Sequence, residues 1–130
     1  MKRIILGLSL VLMLIQNGFA KSDAEYDKEI RKATLEVNKQ IDRCNKIAGN
    51  HLSDGNPEVC EKALKMIQKD YPNEKEFTSN MYVNAGLLYA TSKKNYIKAY
   101  EYFMKSAKLG NIHAQKGLDI LCREHSWACK

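Results

Sequence analysis

Nothing in this 130-residue chain reads as a phosphate-binding loop, a paired-carboxylate site or a nucleophile elbow. No serine or cysteine nucleophile stands at motif spacing from the three histidines, His51, His113 and His125. These fall in a turn, at a helix start and in a terminal loop, and read as ordinary surface residues. Basic residues never run longer than pairs such as Lys93-Lys94, and lysines are spread among glutamates and aspartates. That is the pattern of a solvated helical surface, and it weighs against nucleic-acid binding. Low-complexity tracts are missing as well. With 45% hydrophobic and 28% charged residues, the chain reads as one globular domain with a small core.

The longest apolar run is short. Met1-Lys2-Arg3 precedes Ile4 to Ile15, interrupted only by Gly7 and Ser9, and the small-residue exit Gly18-Phe19-Ala20 follows. About twelve residues at 1.5 Å each cover roughly 18 Å, well under the ~30 Å hydrocarbon core of a bilayer. The segment therefore reads as a secretory signal peptide over residues 1–20, cleaved after Ala20, rather than as a membrane anchor. The first cysteine is Cys44, so no thiol lies near that site for a bacterial lipoprotein modification. The product, residues 21–130, is expected to be periplasmic or secreted, with no stable membrane insertion. It loses Lys2 and Arg3 and keeps 19 basic against 15 acidic residues, a mild +4 that leaves room for a weak preference for an acidic partner.

All four cysteines, Cys44, Cys60, Cys122 and Cys129, lie in the exported part. An even count in an oxidising compartment reads as two disulfides, although four cysteines formally allow three connectivities. Cys122, His125 and Cys129 invite comparison with a zinc site, but no fourth ligand stands nearby and the compartment oxidises thiols, so a disulfide is the preferred reading. No metal or other cofactor is expected.

The helical signals are strong. Ser22-Asp23-Ala24-Glu25 forms a capping box, and Tyr26, Ile30, Ala33, Val37, Ile41, Cys44 and Ala48 then recur at steps of four and three up to Gly49. His51 to Asn56 has turn composition, and Asn56-Pro57 opens a helix from Glu58 to about Asp70 that Pro72 stops. Its inward residues are expected to be Cys60, Ala63, Leu64, Ile67 and Tyr71. If these two helices fold back on each other, Cys44 and Cys60 sit at nearly equal height, which favours their pairing. Three further helices are expected at Phe77 to Ser92, Tyr96 to Leu109 and Ile112 to about Arg123. Cys122 and Cys129 are seven residues apart, or ~10 Å on one straight helix, too far for a cystine. The last helix must therefore end between them, with His125-Ser126-Trp127 folding back and Trp127 covering the last hydrophobic gap.

One stretch carries more information. Val83-Asn84-Ala85-Gly86-Leu87-Leu88-Tyr89, then Tyr96-Ile97-Lys98-Ala99, Tyr102-Phe103-Met104-Lys105-Ser106-Ala107 and Gly110-Asn111 with Ala114-Gln115 resemble the Sel1-like repeat, a relative of the tetratricopeptide repeat. The agreement covers roughly residues 81 to 115. In physical terms, Gly86 and Ala99 allow two helices to approach closely, Tyr89 and Phe103 fill the space between them, and Gly110 takes the left-handed cap. Ala107 and Ala114 complete the signature, and Ala114 to Leu118 looks like the start of a second repeat that stops. The loop from Ala90 to Asn95 lacks the glycine-rich segment usual in the family, and Val83 and Ala85 replace commoner larger residues.

The resemblance implies an all-α chain, a short Sel1/TPR-like solenoid of antiparallel hairpins stapled by disulfides. An N-terminal hairpin would span 21–72, the repeat and capping helix 77–122, and a disulfide-closed tail 123–130. Repeats bury their faces only by stacking, and about three are normally needed, so the cystines would offset a small core. The implied function is an exported, non-enzymatic module that binds another protein. In bacteria, small periplasmic Sel1-like proteins resemble, as a type, immunity proteins that neutralise a secreted toxin. A cell-wall hydrolase of the cysteine-rich Sel1-like type, or a secreted factor acting on host cells, are the alternatives. Tyr89 and Tyr96 are expected in the core. Tyr82 and Tyr100 are the candidate partner contacts, since rigid amphipathic rings anchor interfaces well.

Overall fold

A computed structural model describes residues 23–49 and 55–130 of the chain. The expected signal segment 1–20, the capping residue Ser22 and most of the turn after Asn50 lie outside the described residues. Among those described, the structure is helical without a strand: α1 (Asp23–Gly49), α2 (Glu58–Asp70), α3 (Lys75–Thr91), α4 (Tyr96–Lys108), α5 (Ile112–Glu124) and a closing 3₁₀ turn, Ser126–Cys129. The chain divides into two compact units, Met1–Lys39 and Gln40–Lys130. The second holds the end of α1 from Gln40, helices α2 to α5 and the 3₁₀ turn.

Within that unit, Ile41, Cys44 and Ala48 of α1 are buried, as their spacing requires. In the first unit Val37 is buried too; the side chains of Tyr26, Ile30 and Ala33 are outside the described set. Several helix boundaries have a local cause. The Asn56 side chain accepts from the Glu58 amide at 3.0 Å, and Pro57 at φ −63° supplies the first turn of α2. Tyr71, the residue before Pro72, leaves the helix at φ −138° because the proline ring disfavours a helical predecessor. Asn95 caps α4 by accepting from the Lys98 amide at 3.1 Å. Gly110 ends the α4 turn at φ +87°, a conformation other residues adopt at a cost. Expected and observed helix ends differ by one or two residues: α3 starts at Lys75 rather than Phe77, α4 stops at Lys108, and α5 runs to Glu124.

The cystines pair Cys44 with Cys60 and Cys122 with Cys129, with Cα–Cα distances of 4.8 and 5.6 Å. The first ties the end of α1 to α2, and Asn84 of α3 adds a hydrogen bond to Asn45 at 2.8 Å. The second is reachable because α5 stops at Glu124 and the chain tightens into the 3₁₀ turn. The two differ in setting. Cys44 and Cys60 are fully buried, whereas Cys122 and Cys129 are partly exposed.

α3 is the central helix, packed on α2 and α4 and touching α5. Phe77, Ser79, Met81, Val83, Ala85, Gly86 and Leu88 are all buried, and each of these positions carries a small or apolar side chain. Between α3, α4 and α5, Val83, Ala99, Phe103, Ala114 and Leu121 form one core cluster, with Leu87, Tyr89, Ala90, Tyr96, Tyr100, Ala107 and Leu118 packed around it. Phe103 is its wedge. A methyl built on Gly86 would lie 2.8 Å from Cδ1 and Cε1 of this ring, and one on Gly117 would lie 3.1 Å from Cε1 and Cζ. The ring of α4 therefore stands directly on the bare backbones of α3 and α5.

A polar joint fixes the other end of the same three helices. The buried Ser106 hydroxyl donates to the Ser79 carbonyl at 2.8 Å. Asn111 donates to the Ser79 hydroxyl at 3.1 Å and to the Asn80 amide oxygen at 3.0 Å. Its own amide oxygen accepts from the His113 and Ala114 amides, capping α5.

Candidate interaction surface

Two features outside the core could engage a partner. The first is a row of tyrosines laid across α3 and α4. Tyr89 stacks on Tyr102 with centroids 5.6 Å apart, and Tyr102 meets Tyr82 at 5.9 Å. The phenol ends turn toward α2. Tyr89 donates to Glu61 Oε1 at 2.7 Å, Tyr102 donates to Glu61 Oε2 at 2.5 Å, and Gln68 donates to the Tyr82 oxygen at 2.9 Å. Lysines cover the outer side: the Lys98 ammonium lies 5.1 Å from the Tyr89 centroid, and that of Lys105 lies 5.8 Å from Tyr82 and 5.5 Å from Tyr102. Burial, then the hydrogen bond to the Glu61 carboxylate and its charge, pushes the Tyr89 phenol up to about 12. The same causes, burial first, hold the Tyr102 phenol further above its ordinary value.

The second feature is a groove of about 430 Å³ between α3 and α5. Phe103 and Leu121 line its depth, and Leu87, Ala90, Gly117 and Ile120 line its walls. One end is formed by the tail: the His125 ring stacks on Tyr96 with centroids 3.7 Å apart, and Trp127 meets Tyr96 edge-on at 6.2 Å. The cystine Cys122–Cys129 brackets this tail. Ile120 and Trp127 are 50% and 57% exposed, so apolar surface continues outside the groove.

This geometry revises one expectation and locates the other residues singled out in the sequence. Trp127 does not close a hydrophobic gap; it stands in the open, and His125, the residue that ends α5 just before the 3₁₀ turn, stacks on Tyr96 instead. Tyr89 and Tyr96 sit at the edge of the core cluster, half-buried, with Tyr89 committed by its hydroxyl to Glu61. Tyr100 packs against that cluster, while Tyr82 belongs to the tyrosine row. Of the residues expected to form a repeat signature, Ala99, Phe103 and Ala114 are in the cluster, Tyr89 and Ala107 border it, Gly86 lies under Phe103, and Gly110 makes the turn.

Glu61, Gln68, Lys98 and Lys105 carry no signal in the sequence that marks them out. Their partners lie 28 and 41 residues away for Glu61 and 14 for Gln68, and no local spacing holds that information. Cys122 and Cys129 are joined to each other, so their thiols are not available to a metal together with His125. No protein-family model, curated protein or solved structure matches this chain.

Proposed function

We propose that this chain is an exported, non-enzymatic module that binds another protein, built as a short Sel1/TPR-like stack. The observation that carries the reading is the apolar groove between α3 and α5, about 430 Å³ and continued outward by the exposed Ile120 and Trp127. A groove of that size takes two or so large side chains, which is how an amphipathic helix or a strand of a partner anchors itself. Export is supported by the pairing of all four cysteines, since disulfides persist in oxidising compartments, the periplasm or the cell exterior. No helix among the described residues is long and apolar enough to cross a membrane. The repeat reading draws support from the close α3–α4–α5 packing at Gly86, Phe103 and Gly117 and from the left-handed Gly110.

Within this class, the sharpest version is an immunity protein that neutralises a secreted bacterial toxin. The test is capture from the native cell with the tagged, oxidised chain, followed by a killing assay with the captured protein. Relief of killing by the wild-type chain, abolished by Ile120→Arg in the groove wall, supports the reading. Turnover of peptidoglycan or of a model ester by the purified chain alone would replace it with the hydrolase alternative.

A further inference from the structure

A second concavity, of about 380 Å³, opens where α2, α3 and α4 meet, on the tyrosine-row side. Gln68 and Pro72 line it from the end of α2, Thr78 and Tyr82 from α3, and Lys105, Lys108 and Leu109 from the end of α4. Its described lining thus holds two cations and no carboxylate. Both lysines are exposed, and neither forms an ion pair among the described contacts.

The Thr78 hydroxyl is committed to the Glu74 carbonyl at 2.9 Å, which leaves Tyr82 and the two lysines as the donors of the cleft. The Tyr82 oxygen accepts from Gln68 at 2.9 Å, so its own proton is left to point away from α2. The Lys105 ammonium is held over two rings at 5.8 and 5.5 Å, which restrains a side chain that otherwise samples many rotamers. Beside these donors lie apolar surfaces: Pro72, the Tyr82 ring and Leu109, which is 40% exposed. Placement in the last turn of α4 explains why lysines are favourable at 105 and 108, because they face the carbonyl end of the helix. It does not explain the convergence of Gln68 and Tyr82, from two other helices, on the same cleft.

We infer that this cleft is a carboxylate-binding site for an acidic segment of the partner protein, a glutamate or aspartate flanked by an apolar side chain. Lys105 and Lys108 supply charge, the Tyr82 hydroxyl supplies a directed hydrogen bond, and Pro72 and Leu109 receive the neighbouring apolar group. The inference rests on the protein-binding reading above but concerns a different part of the surface.

The test uses the full oxidised chain and a terminally blocked peptide alternating glutamate with leucine, titrated calorimetrically at low salt. Its glutamine counterpart and inorganic phosphate serve as comparison probes. Binding of the glutamate peptide should weaken about tenfold in K105Q/K108Q and severalfold in Y82F, and stay unchanged in K62Q/K116Q, which removes two lysines elsewhere. No binding, equal loss in the K62Q/K116Q control, or phosphate binding as tightly as the peptide would overturn the assignment. The two readings fail separately: if K105Q/K108Q captures the cellular partner as well as wild type while I120R does not, the carboxylate site falls and the binding module stands.

Discussion

Replacing Gly86 by alanine pits two known effects against each other. Alanine is the better helix former by about 1 kcal/mol, so in an open helix the change would stabilise. Here the new methyl would stand 2.8 Å from two carbons of Phe103, about 0.6 Å short of the 3.4 Å of ordinary contact, with the Ala99 carbonyl oxygen at 3.3 Å on another side. Phe103 is only 2% exposed and rests on Gly117 as well, so the ring must move within a filled space. Overpacking costs ~1–3 kcal/mol, and two ring carbons at 2.8 Å in a filled space put this case in the upper part of that range, ~2–3 kcal/mol, so subtracting the propensity gain leaves a net loss of about 1–2 kcal/mol for G86A. In a domain of this size, that lowers Tm by roughly 5–15 °C. G117A, with its 3.1 Å approach, should come out near neutral, since its clash and its propensity gain are of similar size. The double variant should be worse than the sum, because a ring retreating from α3 closes on α5. Adding F103L to G86A should recover part of the loss. The assay is thermal and urea unfolding of the four variants under non-reducing conditions. An unchanged or raised Tm for G86A, or strict additivity in the double variant, would refute the wedge.

The two cystines should differ in worth and in access. Removing Cys44–Cys60 as C44A/C60A, a loop of 16, should cost about 3 kcal/mol, and C122A/C129A, a loop of 7, about 2.4 kcal/mol, read from urea midpoints. In graded thiol reductant, the partly exposed Cys122–Cys129 should open first, seen by alkylation and mass spectrometry; earlier opening of the buried Cys44–Cys60 pair would contradict the burial pattern. Tyr89 is held protonated up to about 12 in the fold but loses its proton near 10 when unfolded. Its contribution to stability is therefore complete below pH 10 and is lost as pH rises from 10 through about 12. Absorbance at 295 nm should show a late phenol ionisation that moves to lower pH in E61Q, which removes the carboxylate charge from both Tyr89 and Tyr102. Asn111→Ala strips the α5 cap and two hydrogen bonds to α3 at once, and should destabilise by about 1–3 kcal/mol in the same unfolding assay.

The helices are legible in the sequence because their causes are local. Asn56-Pro57, Pro72 and Gly110 each act within a turn of where they stand, and the stripe Ile41, Cys44, Ala48 needs only a period near 3.6 to be recognised. The cystines can be paired for a related reason: helix ends at Gly49 and Asn56 place Cys44 and Cys60 level, and a helix end before Cys129 frees Cys122 to meet it. The surface is less legible. Size and apolarity predict a covered Trp127, but a four-residue 3₁₀ turn held by a cystine gives it no room to reach the core. The tyrosine row is visible only as an excess of tyrosines in α3 and α4. What organises it is one carboxylate, Glu61, whose partners depend on how α2 lies along both helices, and no pattern within α2 predicts that.

The covalent bridge between Cys44 and Cys60 has a further effect wherever the chain meets a protease. Every peptide bond from Asn45 through Val59 lies inside the ring it closes. A single cut there leaves one molecule, with α1 still attached to α2 through sulfur, and the nick would show on a gel only after reduction. The chain can thus survive the loss of its backbone continuity between these two cysteines without losing a piece of itself.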